Sequence, residues 1–151
     1  MSIRLGFQCK LYRNSAPGGD AWTEMKNISD VECPIEGEEI DATVRDCGGF
    51  KGYLLGLIDA GIEFDLKYDA GKAACVSDFE ALIKAFFQRA DIEIRVLDGT
   101  YGEEGVEGLQ MTCKVTKFPV SQPMAKDCNI RVAMKPSADA ASSPVWIGAT
   151  T

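Results

Sequence analysis

Apolar and polar positions alternate along most of this chain. From Ile3, the odd positions read Ile3, Leu5, Phe7, Cys9 and Leu11, and the even ones Arg4, Gly6, Gln8, Lys10 and Tyr12. A period of two predicts a strand with one buried and one wet face. The same period places Ile40, Ala42 and Val44 against Glu39, Asp41, Thr43 and Arg45, and Ile62, Phe64, Leu66 and Tyr68 against Glu63, Asp65, Lys67 and Asp69. It returns at Ile92, Ile94 and Val96, at Leu109, Met111, Cys113 and Val115, and at Cys128, Ile130, Val132 and Met134. Residues 22–33 read as a further strand region with a bend or bulge at 27–30. Residues 136–144 are small and polar, a tail segment before the apolar tip Val145, Trp146 and Ile147. Pro17 to Asp20, the glycine-rich stretch 46–52, residues 98–105, Pro119 and Pro123 supply the turns.

One segment changes period. Phe79, Leu82, Ile83, Phe86, Phe87 and Ala90 recur at i, i+3, i+4, i+7, i+8 and i+11, which predicts a helix over residues 77–89. Ser77 and Glu80 have capping-box spacing, Asp78 falls near the positive end of the dipole, and Arg89 falls in the last turn. Three Phe on that stripe suggest a helix covering a sheet. Seven or eight strands with connections too short for crossover helices predict a mainly β fold: an antiparallel β-sandwich or partly closed barrel with one flanking α-helix. At 151 residues, with no internal repeat, the chain reads as a single domain, residues 1–151, with 136–151 as its C-terminal tail. Such a fold has sheet edges, which are either blunted or used for pairing.

Composition narrows the chemistry. The chain has no histidine, which removes imidazole acid/base catalysis, His-containing triads and dyads, and His-ligated zinc. Acids outnumber bases 23 to 16, for a net charge of −7. That argues against a duplex-DNA reader gripping phosphates with Lys and Arg. Residues 30–46 hold seven acids and one base, a net of −6. In an alternating strand and turn those acids face solvent, as a solvated or phosphate-repelling surface rather than a catalytic pair. The six cysteines, Cys9, Cys33, Cys47, Cys75, Cys113 and Cys128, contain no close pair of the kind zinc knuckles use. They read as reduced, small hydrophobes. No phosphate-binding glycine loop or calcium loop is present. Nothing calls for a metal or other cofactor, or for an enzyme. The longest apolar run, residues 53–58, is too short to cross a bilayer. The first ten residues lack a signal-peptide core, so synthesis in the cytosol is expected. Trp22 and Trp146 are candidate core residues or subunit anchors.

Several stretches, in order, are similar to tail tube (major tail) proteins of long-tailed bacteriophages and prophages. They are Lys10-Leu11-Tyr12, then Trp22-Thr23-Glu24-Met25-Lys26-Asn27-Ile28-Ser29-Asp30-Val31, Thr43-Val44-Arg45, Gly56-Leu57-Ile58-Asp59-Ala60, residues 62–69, Val115-Thr116-Lys117-Phe118 and residues 131–136. The specificity lies in order and spacing. The six cysteines and the acidic loop 98–105 lie outside it. The resemblance implies two packed antiparallel sheets with one helix, and rings of six copies stacked into a hollow virion tube, assembled in the bacterial host cytoplasm. Inner sheets of neighbours would join edge to edge. It implies a homo-oligomer with tape-measure and tail-terminator or sheath proteins as partners, no membrane, and DNA passing through the lumen without specific binding. It implies Glu39, Asp41, Thr43, Arg45, Glu63, Asp65 and Lys67 as lumen-lining candidates, and Gly48, Gly49 and Trp146 as subunit contacts. Residues 30–52 would hold the loop reaching the next ring, and residues 136–151 would pack on a neighbour. The alternatives are the inner tube of a contractile injection or type VI-like secretion device, and a monomeric β-domain binding a small molecule or a protein.

Overall fold

The computed structural model describes residues 10–15, 19, 21–121, 124, 128–138 and 144–148. Among these, the elements in chain order are β1 (Lys10–Asn14), β2 (Trp22–Met25), β3 (Ile28–Glu32), β4 (Ile35–Asp41), β5 (Tyr53–Ala60), β6 (Ile62–Lys67), α1 (Ala73–Gln88), β7 (Ile92–Leu97), β8 (Gly108–Lys117), β9 (Val120–Ser121), β10 (Asn129–Pro136) and β11 (Val145–Ile147). The predicted strand at residues 3–9, Cys9 with it, lies outside the described residues, as do Pro17, Gly18, Asp20 and Pro123. Every strand pairing is antiparallel. Nine strands share one sheet whose main path runs β2-β1-β7-β8-β10-β6-β3, with β11 on β8 and β9 on β10; β4 and β5 pair with each other.

The two ends of that path, β2 and β3, are separated in sequence only by Lys26 and Asn27. Three Cα steps span at most about 11 Å, close to the ~10 Å spacing of packed sheets. The path therefore curls back, and β2–β3 is one strand turning the corner between two facing halves. The two do not pair with each other, so the roll stays open. Between the halves sits one cluster: Leu11, Met25, Phe64, Leu66, Ile94, Met111, Ile130, Val132 and Met134 from the strands, and Leu82 from the helix. This is the antiparallel, mainly β architecture that the alternation predicts.

Strand β1 departs from simple alternation, because Leu11, Tyr12, Arg13 and Asn14 are all buried. Tyr12 lies beside the Tyr101 ring, with centroids 6.0 Å apart. Asn14 Nδ2 donates to Glu93 Oε2 at 2.6 Å. Arg13 Nη2 meets Asp78 Oδ1 of α1 at 3.0 Å.

That ion pair sets the helix orientation. The helix starts at Ala73, not at Ser77, and its N-cap Lys72 makes no side-chain capping bond. Ser77 is exposed inside the helix, so the Ser77–Glu80 spacing marks no start. Asp78 is buried against Arg13 instead of serving the helix dipole. Burial pushes the Asp78 carboxyl up, while the guanidinium draws it the other way. The contact line is Cys75, Asp78, Leu82 and Ala85. Phe79 packs partly against the core, while Phe87, expected on the covering face, is 75% exposed. Arg89, with φ of 55°, ends the helix rather than completing it. Its N–H donates to Phe86 O, and the Ala90 N–H donates to Ala85 O.

Among the described residues the cysteines are free, with Cys75 and Cys113 buried and Cys33, Cys47 and Cys128 half-buried. Burial, with the nearby Asp91 charge, raises the Cys113 thiol to about 12. Burial alone raises Cys33 to about 11. Both therefore stay protonated near neutrality and act as small hydrophobes.

Candidate assembly surface

Strands β3 and β4 form one line and β5 and β6 another, and the ladder runs through both. Glu32 pairs with Glu63, and Ile35 pairs with Ala60, so pairing resumes in the same register across Cys33, Pro34 and Gly61. The proximal part, β3 and β6, is built into the body. The distal part, β4 and β5, leaves it as an arm whose paired length is about 25 Å at ~3.4 Å per residue. No residue from Pro34 to Asp59 belongs to the core cluster. The arm's root is held by buried Ala60 and by Lys135 Nζ on Asp59 Oδ2 at 3.1 Å.

The two strands of the arm differ in chemistry. Strand β4 reads Ile-Glu-Gly-Glu-Glu-Ile-Asp. Strand β5 reads Tyr-Leu-Leu-Gly-Leu-Ile before its first charge at Asp59. A strand apolar at successive positions is apolar on both faces, the pattern of a strand covered on both sides. Here neither face is covered: Tyr53, Leu54, Leu55, Leu57 and Ile58 are all exposed, Leu57 at 82%. The predicted half-burial of Ile40 and Val44 fails for the same reason, since both are exposed and no second layer lies over them among the described residues. Strand β5 itself gave no alternating signal, so period-two reasoning passed over it.

At the tip, Asp41 Oδ1 accepts from the Thr43 hydroxyl at 2.6 Å and from the Thr43 amide at 3.0 Å, which holds the Asp41 carboxyl below its usual value. Thr43 therefore shapes the turn, outside the strand that alternation assigned to it. Arg45 likewise lies beyond β4, in a 3-10 turn over Arg45–Cys47. Gly48 and Gly49 follow with φ of 63° and 87°, a left-handed stretch that side chains rarely adopt. Phe50 beside them is 79% exposed.

The remaining lumen candidates fall on two opposite faces of the ribbon. Glu63, Asp65 and Lys67 of β6 alternate with the buried Ile62, Phe64 and Leu66, so they point outward. Following the register out along the arm, Glu36 pairs with Asp59 on that outward face, whereas Glu39 and Asp41 pair with Leu55 and Tyr53 on the opposite one. Glu38 lies on the outward face too, its carboxylate beside Gly56 and Ile40. Strand β4 alternates without a break, so Glu36 and Glu38 share the outward face with Ile40; the extra residue of the bulge lies in β5, where Gly56 and Leu57 oppose Glu38. The outward charges are partly neutralised. Arg131 lies 3.4 Å from Glu32, 3.5 Å from Glu63 and 3.4 Å from Asp65. Its Nη1 also donates to the carbonyl of Asp30, a residue with φ of 51° inside the β3 bulge.

Away from the arm, Trp22 is stacked by the Arg95 guanidinium, 4.1 Å from the ring centroid, with Tyr101 on the same cation at 4.9 Å. Trp146 is half exposed, and β11 is seated on its own chain's β8. A cleft of about 380 Å³ beside the helix end is lined by Ala85, Phe86, Phe87, Arg89, Lys114 and Val115. Its walls carry neither a nucleophile nor a carboxylate, and Lys114 is bound to Asp91 at 2.9 Å. Among the described residues no helix is long and apolar enough to cross a membrane.

No protein-family model and no curated protein matches the sequence. The fold, however, matches solved structures over nearly its whole length. The tail of an empty gene transfer agent particle superposes with a TM-score of 0.70 at 14% identity, covering 95% of this chain and 98% of that one. The SPP1 tail tube gives 0.68 at 12% identity, covering 88% and 75%. A sheath/tube terminator of the PVC extracellular contractile injection system gives 0.59 at 12% identity, covering 97% of both. The chain has the fold of tail-tube proteins, as its sequence resemblance implies.

Proposed function

We propose that this chain is a structural subunit, not an enzyme, whose copies join edge to edge into rings that stack as the hollow tube of a phage-like tail. The observation that carries this reading is β5: an apolar strand exposed on both faces, on an arm that no other described part of the chain covers. Exposed apolar surface of that extent marks an interaction site, and an isolated two-stranded ribbon is marginal in water. The open edges at β2 and β3 supply a second requirement, unpaired backbone ready for a neighbour. Six copies per ring agrees with the six-fold symmetry of the gene transfer agent tail. In such a stack the arm reaches the next ring, with Gly48 and Gly49 at its contact. Tape-measure and terminator proteins belong to the same reading.

The lumen wall is assigned to the outward face of β6 in the body: Glu63, Asp65 and Lys67. A smooth wall needs a polar face: the arm's outward face also carries Ile40, Leu54 and Leu57 and is left to neighbouring copies, while the β6 face is polar throughout. Its net negative charge repels DNA phosphates, so cargo passes without sticking. Glu39 and Asp41 belong to the opposite face, with Tyr53 and Leu55. Electron microscopy of the assembled protein tests the reading. Six-fold rods with a central channel support it, and a persistent monomer in the presence of tail-initiating proteins contradicts it. Charge reversal at Glu63 and Asp65 then slows DNA passage, while reversal at Glu39 and Asp41 impairs assembly. The opposite pattern refutes the face assignment.

A second reading is the inner tube of a contractile injection device, favoured by the near-complete overlap with the PVC terminator. Co-purification of a sheath from native particles separates the two.

A further inference from the structure

Strand β8 is ten residues long, and two different strands share one of its sides. Strand β7 pairs Ile92 to Leu97 with Cys113 to Gly108 along the other side. Strand β10 covers the second half of the shared side, ending with Pro136 opposite Cys113. The Ser137 amide still donates to Thr112 O, so this ladder runs one step further. Strand β11 covers the first half, with Val145 opposite Gln110 and Ile147 opposite Gly108. Both run in the same direction along β8. Carried straight on, the β10 register would place residue 139 opposite Gln110; Val145 is there instead. Strands β10 and β11 are thus one interrupted strand, with six residues more than the gap requires.

The attachment of β11 is almost wholly an edge pairing. Three register pairs hold it, none of its residues belongs to the core cluster, and Val145 and Trp146 are both exposed by about half. The Trp146 Nε1–Glu107 Oε2 contact is long, at 3.4 Å. A strand held this way makes the same contacts on any identical β8. The connector, Ser-Ala-Asp-Ala-Ala-Ser-Ser-Pro, carries no large apolar side chain, and eight extended residues span about 25 Å.

We propose that in the assembled protein β11 is exchanged: the C-terminal strand of one copy completes β8 of the next. The occupant of the Gly108–Gln110 edge is a second copy's Val145–Ile147, a strand addition in which identical chains trade an identical element. The surplus length is what permits the trade, and the ring's high effective concentration favours it. This deepens the tube reading and rests on it.

The test uses the full chain with two single variants, Gln110→Cys and Val145→Cys, mixed before assembly and oxidised. Directly opposed antiparallel residues lie about 4.5–5.5 Å apart, within disulfide reach. In the mixture a 110–145 bond, mapped by mass spectrometry, is intermolecular by construction. The expected result is that rods of an equal mixture form this bond in about a quarter of the double variant's yield, the share of exchanged contacts that join the two variants at random. Rods in which only the double variant forms it overturn the exchange and leave the tube reading standing. Absence of rods from the unaltered chain overturns the tube reading and the exchange with it. A second variant, deletion of residues 139–144, restores the straight register within one chain. It is expected to keep the monomer's melting temperature and lose rods. Rods at unaltered yield overturn the proposal.

Discussion

Leu57 is the most exposed large apolar residue of β5, at 82%, and the substitution Leu57→Lys isolates what that exposure means. Within one chain the side chain touches little, so the change stays within about 0.5 kcal/mol of neutral. For a domain of this size that shifts Tm by no more than about 2 °C. In the assembly the situation reverses. Fully burying a leucine stabilises by about 1.5–3 kcal/mol, and nearly all of it is still unrealised in the free chain. Losing about 2 kcal/mol per contact weakens association roughly 30-fold, before the further cost of desolvating an ammonium group. Thermal melting of the monomer, paired with sedimentation and negative-stain microscopy across a concentration series, reads both quantities. An unchanged Tm with a critical concentration raised about 30-fold or more is expected. Assembly at the unaltered concentration would show that β5 stays wet in the tube. A Tm lowered by many degrees would show that Leu57 already packs inside the chain.

The buried Arg13–Asp78 pair makes a second prediction: Arg13→Met leaves a buried carboxylate without its cation and costs about 3–5 kcal/mol in chemical denaturation, most of it recovered when Asp78→Leu is added. Ser77→Ala changes stability by less than about 0.5 kcal/mol, because that serine lies within the helix and caps nothing; a loss near 1 kcal/mol would restore it as a cap. Asp91 accepts from Ser137 Oγ at 2.7 Å, and with Lys114 this holds its carboxyl below the usual carboxylate value. The folded state therefore binds that proton less readily than the unfolded chain. The stabilisation is present above the unfolded value and is lost as pH falls through the folded one. Denaturation midpoints of Ser137→Ala should lie below those of the parent at pH 6–7, and the gap should close as pH falls through the folded Asp91 value, which lies under the unfolded one.

Much of the body was legible because a half-buried strand writes its burial into parity: Ile62, Phe64 and Leu66, or Ile130, Val132 and Met134, are core residues in both sequence and structure. Helix α1 was legible by period but not by boundary. Its apolar stripe is wider than the face it buries, and a charge, Asp78, occupies the line that the stripe assigned to apolar side chains. That choice depends on Arg13, 65 positions away, which no local pattern reveals. The arm was the least legible part. Strand β5 carries no alternation because it is apolar on both sides, and neither side is covered among the described residues. The face of each acid was hidden for a related reason, since bulges opposite Phe64 and opposite Glu38 reset parity in one strand of the ribbon but not in its partner. The acidic run at residues 30–46 thus looked like one surface and divides into two.

A cryo-electron microscopy map of the native particle, read at residues 53–58, measures the central claim directly. The account predicts density from neighbouring copies against both faces of that segment. Solvent on either face along its length would contradict it.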